Sequence, residues 1–128
     1  MEKPLYRLGD LQLRIMRILW QHGPSTVAEV LTELQPGPSF AYTTIATMLR
    51  KMEQKKLVEH DASGRKFVYK ALVEAERVTE SMSHDLLERL FEGSMSDMVH
   101  HLLKTRDVSE DELIVLERMI AEKKKSSE

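Results

Sequence analysis

The chain contains no cysteine. That absence excludes disulfides, thiolate metal sites, iron–sulfur clusters and a cysteine nucleophile, and it fits a reducing compartment. Long apolar runs are missing as well. The longest aliphatic stretch is Leu113-Ile114-Val115-Leu116, far below the roughly 20 residues of a membrane span. No apolar segment follows Met1-Glu2-Lys3-Pro4, so no secretion signal is expected. What is present is 128 residues, 41% hydrophobic and 31% charged. That composition fits a cytoplasmic globular protein of one domain, or of two small modules, with no membrane partner.

The net charge of -2 conceals an asymmetry. Residues 1–72 carry 11 basic and 7 acidic side chains, whereas residues 73–128 carry 8 and 14. The basic excess concentrates in 42–70, where Arg50, Lys51, Lys55, Lys56, Arg65, Lys66 and Lys70 meet only Glu53, Glu59 and Asp61. Such an imbalance suits a nucleic-acid-facing surface in the first part and a solvated acidic module in the second, although an ordinary solvated face carries similar charges.

Leu8, Leu11, Ile15, Ile18 and Leu19 recur at helical spacing, which predicts a helix over 8–22 that ends at Gly23-Pro24. Thr26 and Glu29 form a capping-box pair that starts a second helix, with Val27, Val30, Leu31 and Leu34 as its apolar stripe. Pro36-Gly37-Pro38-Ser39 is a loop, and a third helix is expected from about Ala41 to Lys56. The period then changes. Leu57–Asp61 and Lys66–Leu72 read as two strands around the loop Ala62-Ser63-Gly64-Arg65. Beyond Leu72 the pattern is helical throughout, with a stripe from Val78 to Phe91, another from Met95 to Leu103, and a last helix capped by Ser109 and Glu112. The expected architecture is mainly α with a small antiparallel β hairpin: a winged helix-turn-helix domain over 1–72 and a helical dimerisation domain over 73–128.

On a helical wheel of roughly 100° per residue, Ile45, Met48, Leu49 and Met52 define the buried side of the third helix. Thr43, Thr47, Arg50 and Gln54 fall opposite, flanked by Ala46 and Lys51, and no acid interrupts them. These groups suit a major groove. Arginine binds guanine O6 and N7, glutamine pairs with adenine, and threonine or alanine meets a thymine methyl. Arg65 and Lys66 at the hairpin tip can reach phosphates or the minor groove, with Lys70 on the same hairpin. Basic residues also protect exposed hairpin edges, and Tyr42 can either contact phosphate or pack at the helix entry.

Leu8–Trp20, Thr26–Leu31, Tyr42-Thr43-Thr44-Ile45-Ala46-Thr47-Met48-Leu49-Arg50-Lys51-Met52, Lys56-Leu57-Val58 and Phe67-Val68-Tyr69 together resemble the penicillinase-repressor family, often called BlaI/MecI/CopY. The resemblance spans nearly the whole chain, including Phe91-Glu92-Gly93 and the acidic helical tail. It implies a bacterial transcriptional repressor that binds a partly palindromic double-stranded operator as a homodimer. It also implies a winged domain that reads DNA, and the candidate contacts in this chain are Tyr42, Thr43, Thr44, Ala46, Thr47, Arg50, Lys51, Gln54, Arg65 and Lys66. In one branch of the family a sensor-linked protease cleaves the C-terminal domain, and His101-Leu102 here occupies the place of an Asn-Phe pair. In the copper branch a cysteine cluster binds metal, which this chain cannot do. Thr43 and Ala46 stand where some relatives carry basic residues.

Dimerisation also follows from the residues. Val78, Met82, Leu86, Leu90, Met98, Leu102, Leu113, Leu116 and Ile120 form apolar stripes that are hard to cover within one subunit of under 60 residues, so a second copy is the expected partner, the other possibility being a three-helix cap within the same chain. The alternative is a helical protein–protein interaction module on a winged-helix scaffold, without sequence-specific DNA binding. No enzyme, cofactor or metal site is expected. Ser83-His84-Asp85 are consecutive on a helix and diverge by roughly 100°, so they cannot form a triad. His100-His101 lack i, i+4 spacing, and Asp107-x-Ser109-x-Asp111 lacks the glycine and the final acid of a calcium loop.

Overall fold

The computed structural model describes residues 6–35, 37 and 39–127. Residues 1–5, where the absence of a leader was expected, lie outside the described residues, as do Pro36 and Pro38 of the expected loop and Glu128. The elements in chain order are α1 (Asp10–His22), β1 (Ser25–Thr26), α2 (Val27–Glu33), α3 (Tyr42–Gln54), β2 (Val58–Ser63), β3 (Lys66–Ala71), α4 (Ala75–Phe91), α5 (Met95–Thr105) and α6 (Glu110–Ser126). Two compact units divide at His84 and Asp85, within α4. Among the described residues no helix is long and apolar enough to cross a membrane.

The core of the first unit is built largely from the expected stripes, with Met16 added and Leu31 and Met48 only half-buried. Ile15, Met16 and Leu19 of α1, Val27 and Val30 of α2, Leu34 just beyond it, and Ile45, Leu49 and Met52 of α3 are all buried. Thr26 opens α2 as expected: its hydroxyl accepts from the Glu29 N–H at 3.2 Å, and the Glu29 carboxylate accepts from the Thr26 N–H at 2.9 Å. The first unit extends past Leu72 for a physical reason. Val78 of α4 is buried in the same core and Met82 packs against it. The Trp20 indole donates to the Val73 carbonyl at 2.9 Å, and the Tyr6 N–H donates to the Ser81 hydroxyl at 2.9 Å. Val78, expected on a dimer face, is therefore a core residue of its own subunit.

The sheet has three antiparallel strands in the order β1-β3-β2. The two-residue β1 was not expected, since so short a strand has no periodicity to read. Its Ser25 pairs with Tyr69 and its Thr26 with Val68. The hairpin is also tighter than expected. Ala62 and Ser63 pair with Phe67 and Lys66, which leaves a two-residue turn at Gly64-Arg65 instead of a four-residue loop. Gly64 takes a φ of 64°, the left-handed conformation that this kind of turn asks of its first residue.

Helix α3 ends without a glycine. Lys56 adopts a φ of 63°, its N–H donates to the Glu53 carbonyl at 2.9 Å, and the Leu57 N–H donates to Met52 at 3.0 Å. This paired arrangement is a Schellman motif, and the buried Leu57 and Met52 side chains supply its usual apolar contact.

In the second unit, Ser94 caps α5 and Ser109 caps α6, each hydroxyl accepting from the N–H three residues on, at 3.2 Å and 3.1 Å. Of the expected Ser109–Glu112 box, only the serine half forms. No residue of α5 or α6 is buried. Leu86, Leu90, Leu102, Leu113 and Ile120 are exposed, while Met98 and Leu116 are half-buried. His101 and Leu102 both lie inside α5, exposed, with the His101 ring 5.8 Å from that of Phe91.

The left-handed Lys56 predicts a stabilising substitution. Lys56→Gly removes a strain of about 1–2 kcal/mol at this position and restores part of it as extra flexibility of the unfolded chain. The expected net gain is up to about 1 kcal/mol. It is read as a higher urea midpoint with an unchanged slope.

Candidate nucleic-acid interface

Burial of Ile45, Leu49 and Met52 fixes how α3 is rolled. Thr43, Thr44, Arg50, Lys51 and Gln54 are exposed as a result, and Thr47 and Ala46 are half-buried. The Arg50 guanidinium donates to the Thr47 hydroxyl at 3.1 Å, one turn back on the same face. This contact limits the rotamers of a side chain that otherwise has many, so less freedom is lost when it meets a ligand.

A groove of about 490 Å³ runs between α3 and the hairpin. Tyr42, Ala46 and Arg50 of α3 line it on one side and Arg65, Lys66 and Phe67 of the hairpin on the other, with Thr26–Ala28 also in the lining. Tyr69 of β3 also lines it. Half of the expected contact residues therefore meet here, namely Tyr42, Ala46, Arg50, Arg65 and Lys66. Thr43, Thr44, Thr47, Lys51 and Gln54 lie on α3 outside the groove lining.

The wing is tied to α3 by a contact that no sequence motif announced. The His60 N–H of β2 donates to the Glu53 carboxylate at 3.2 Å, and His60 Nδ1 lies 2.7 Å and 2.8 Å from its two oxygens. The His60 ring stacks on Phe67 at 4.3 Å and lies 5.5 Å from Tyr69. Glu53, the acid on the groove flank of α3, is thus held by a partner. Its spacing to His60 crosses a helix end and a strand start, so neither period reveals it.

Charge near the groove is otherwise arranged by close pairs. Lys70, grouped with the tip residues on sequence, pairs across the strands with Glu59 at 3.0 Å. That hydrogen bond, then the Glu59 and Asp61 charges, raises its pKa above 10.5, so Lys70 belongs to the hairpin's own stabilisation. The Thr26 backbone N–H first, and then its side chain, hold the Glu29 carboxyl below its ordinary value, with the Lys66 charge adding to the effect. Burial foremost, then the Glu53 charge, raises the pKa of the Tyr69 phenol, so it remains a hydrogen-bond donor at neutral pH.

Three helices, a three-stranded wing and an outward third helix define a winged helix-turn-helix module. The penicillinase repressor family model matches residues 8–122, and the chain belongs to that family. The chain is 30% identical to the penicillinase repressor of Bacillus licheniformis over 122 residues, 95% of each chain. It is 31% identical to the transcriptional regulator BlaI of Mycobacterium tuberculosis over 120 residues, 92% of this chain and 86% of that one. Among solved structures, the solution structure of monomeric Bacillus licheniformis BlaI in complex with a half-operator is similar at 29% identity with a TM-score of 0.50. That match covers 59% of this chain and 93% of the other.

The Glu29 cap generates a pH prediction. Its folded pKa lies below the ordinary 4.5, so the stabilisation is fully present above that value and is lost as pH falls through the folded one. In urea titrations across the acid range, the stability advantage of wild type over Glu29→Gln should be constant above about pH 5 and should shrink below it. An advantage independent of pH would count against the carboxylate's role.

Proposed function

We propose that this chain is a transcriptional repressor that occupies a partly palindromic operator as a homodimer, with α3 in the major groove and the wing on the backbone or in the minor groove. The observation that carries the reading is the acid-free outward face of α3 beside a groove rimmed by Arg50, Arg65 and Lys66. Relatives bearing the names repressor and transcriptional regulator support it, as does the half-operator complex of the similar BlaI structure. The reading includes no catalysis, since repression follows from occupying DNA.

In this reading Arg50 reads a base edge, Thr43 and Thr47 meet adjacent bases, and Lys66 neutralises phosphate. The second copy binds through the apolar residues that α5 and α6 leave exposed, together with Leu86 and Leu90 of α4. Pairing converts the second half-site contact into an intramolecular event and makes half-site spacing a requirement. Release then follows from any signal that weakens pairing, because each 1.4 kcal/mol changes occupancy tenfold. A sensor-linked protease acting at His101–Leu102 is one such signal. It must first unwind α5, since the His101 carbonyl accepts from the Thr105 hydroxyl at 2.7 Å and the Leu102 carbonyl accepts from the Arg106 N–H at 3.2 Å.

Two measurements test this. In gel shifts with the promoter regions of its own genome, affinity should fall linearly in log salt. Arg50→Ala should cost about 1–3 kcal/mol and relax preference at one base position, whereas Lys66→Ala should weaken all sequences alike and reduce the salt slope by about one. Binding that is absent at low salt would favour a protein–protein module on the same scaffold. In sedimentation, Ile120→Asp should convert a dimer to a monomer that still binds a half-site but loses at least tenfold on the full operator.

A further inference from the structure

The groove has a polar group that the proposed reading does not use. Tyr69 is 2% exposed, yet it lines the groove. Its hydroxyl donates to no protein group among the described residues, and no sealed side-chain polar atom there lacks a partner. The phenol oxygen therefore opens into the groove, on a strand held between β1 and β2 by the pairings Ser25↔Tyr69 and His60↔Tyr69. The small part of Tyr69 left exposed includes this oxygen, which stands open to a hydrogen-bond acceptor entering the groove.

Its surroundings identify that something. Arg50 and Lys66 stand on opposite walls, and Tyr42 adds a second phenol beside Arg50. The acid nearest to this set, Glu53, is held by His60 through two nitrogens, and Glu29 is engaged by Thr26. Two phenols and three cations, Arg50, Arg65 and Lys66, around an opening whose neighbouring carboxylates are hydrogen-bonded match a group with several acceptor oxygens and a negative charge.

Resting on the proposed DNA reading, we infer that the groove holds one backbone phosphate of each half-site, and that Tyr69 donates the hydrogen bond at its floor. Lys66 approaches this phosphate from the wing side and Tyr42 from the α3 side, while Arg50 stays with its base edge, so it is the backbone position between the groove read by α3 and the groove reached by the wing. Tyr69 thereby sets the depth and register of α3 on the duplex without reading a base.

The test pairs a side-chain deletion with a backbone deletion. Tyr69→Phe keeps the ring and removes only the hydroxyl, and its thermal midpoint checks that the fold is retained. Operator duplexes carrying a neutral methylphosphonate at one linkage at a time locate the phosphate. Wild type should lose about tenfold at one linkage per half-site, and Tyr69→Phe should lose about tenfold on unmodified DNA of any sequence. Combining the two should cost little more than either alone. Losses that multiply at every linkage, or a Tyr69→Phe chain that binds as wild type does, would overturn the assignment while leaving the repressor reading standing. A wild-type chain that binds no duplex would overturn both. Inorganic phosphate at millimolar concentration separates the sources. A Tyr69 ring shift in NMR spectra that appears with duplex and not with the free ion supports the backbone phosphate, whereas equal shifts with both assign the groove to a free anion instead.

Discussion

Ile45, Leu49 and Met52 occur at steps of four and three along α3, and each is shut off from solvent by α1, α2 and the sheet. Three such contacts fix the rotation of the helix about its own axis as well as its position. Rolling α3 by one residue, roughly 100°, would press Arg50 into the place of Leu49 and carry Met52 into the exposed place of Lys51. Exposing the methionine costs about 1.5–3 kcal/mol, and an unpaired buried guanidinium costs several more. The chemistry that α3 offers to the outside is therefore set from within, by side chains that never meet a ligand.

The wing depends on that same rotation. With Leu49 sealed, Glu53 turns to the flank where His60 waits, and the ring stack from His60 to Phe67 continues the connection along the hairpin. Lys70 and Glu59 brace the strands nearer their open end. The acids flanking the groove are thus engaged by neighbours, and the cationic rim is not cancelled by its own scaffold. This arrangement accounts for a feature that net charge hides. A protein at -2 overall keeps a locally basic face because Glu29, Glu53 and Glu59 are engaged by neighbours and 14 of the 21 acids lie beyond Leu72.

Much of this was legible in the residues. Helical periodicity located α1 to α6, the Thr26–Glu29 pair located the start of α2, and the wheel identified which side of α3 is buried. Reading stopped where the cause is tertiary. Tyr42, Ala46 and Arg50 fall on one flank of the wheel and Lys51 on the other, but only the fold tells which flank the hairpin covers. The end of α3 carries no glycine signal because Lys56 accepts a left-handed conformation that the burial of Leu57 enforces. Tyr69 looked like one more alternating strand residue, and its role in the groove depends on β1, a strand too short to have a period. Val78 has the same apolar character as Leu86 and Leu90, and nothing in a single helix pattern says which of them the winged core will take up.

That division within α4 bears on regulation. Val78 is buried within the first unit and so is unavailable to a second copy, Met82 packs against the same core while half-buried, and Leu86 and Leu90 are exposed. In the proposed reading the reading head and the pairing surface draw on different residues of α4. Mutations or cleavage in α5 and α6 then leave each half-site contact intact and act only through the effective concentration that pairing supplies. A winged module with one or two phosphate anchors per half-site binds weakly alone, so a modest loss of pairing is enough to empty the operator. A stronger single module would not respond to the same loss. The limited set of contacts in each groove is, on this view, a condition for the switch.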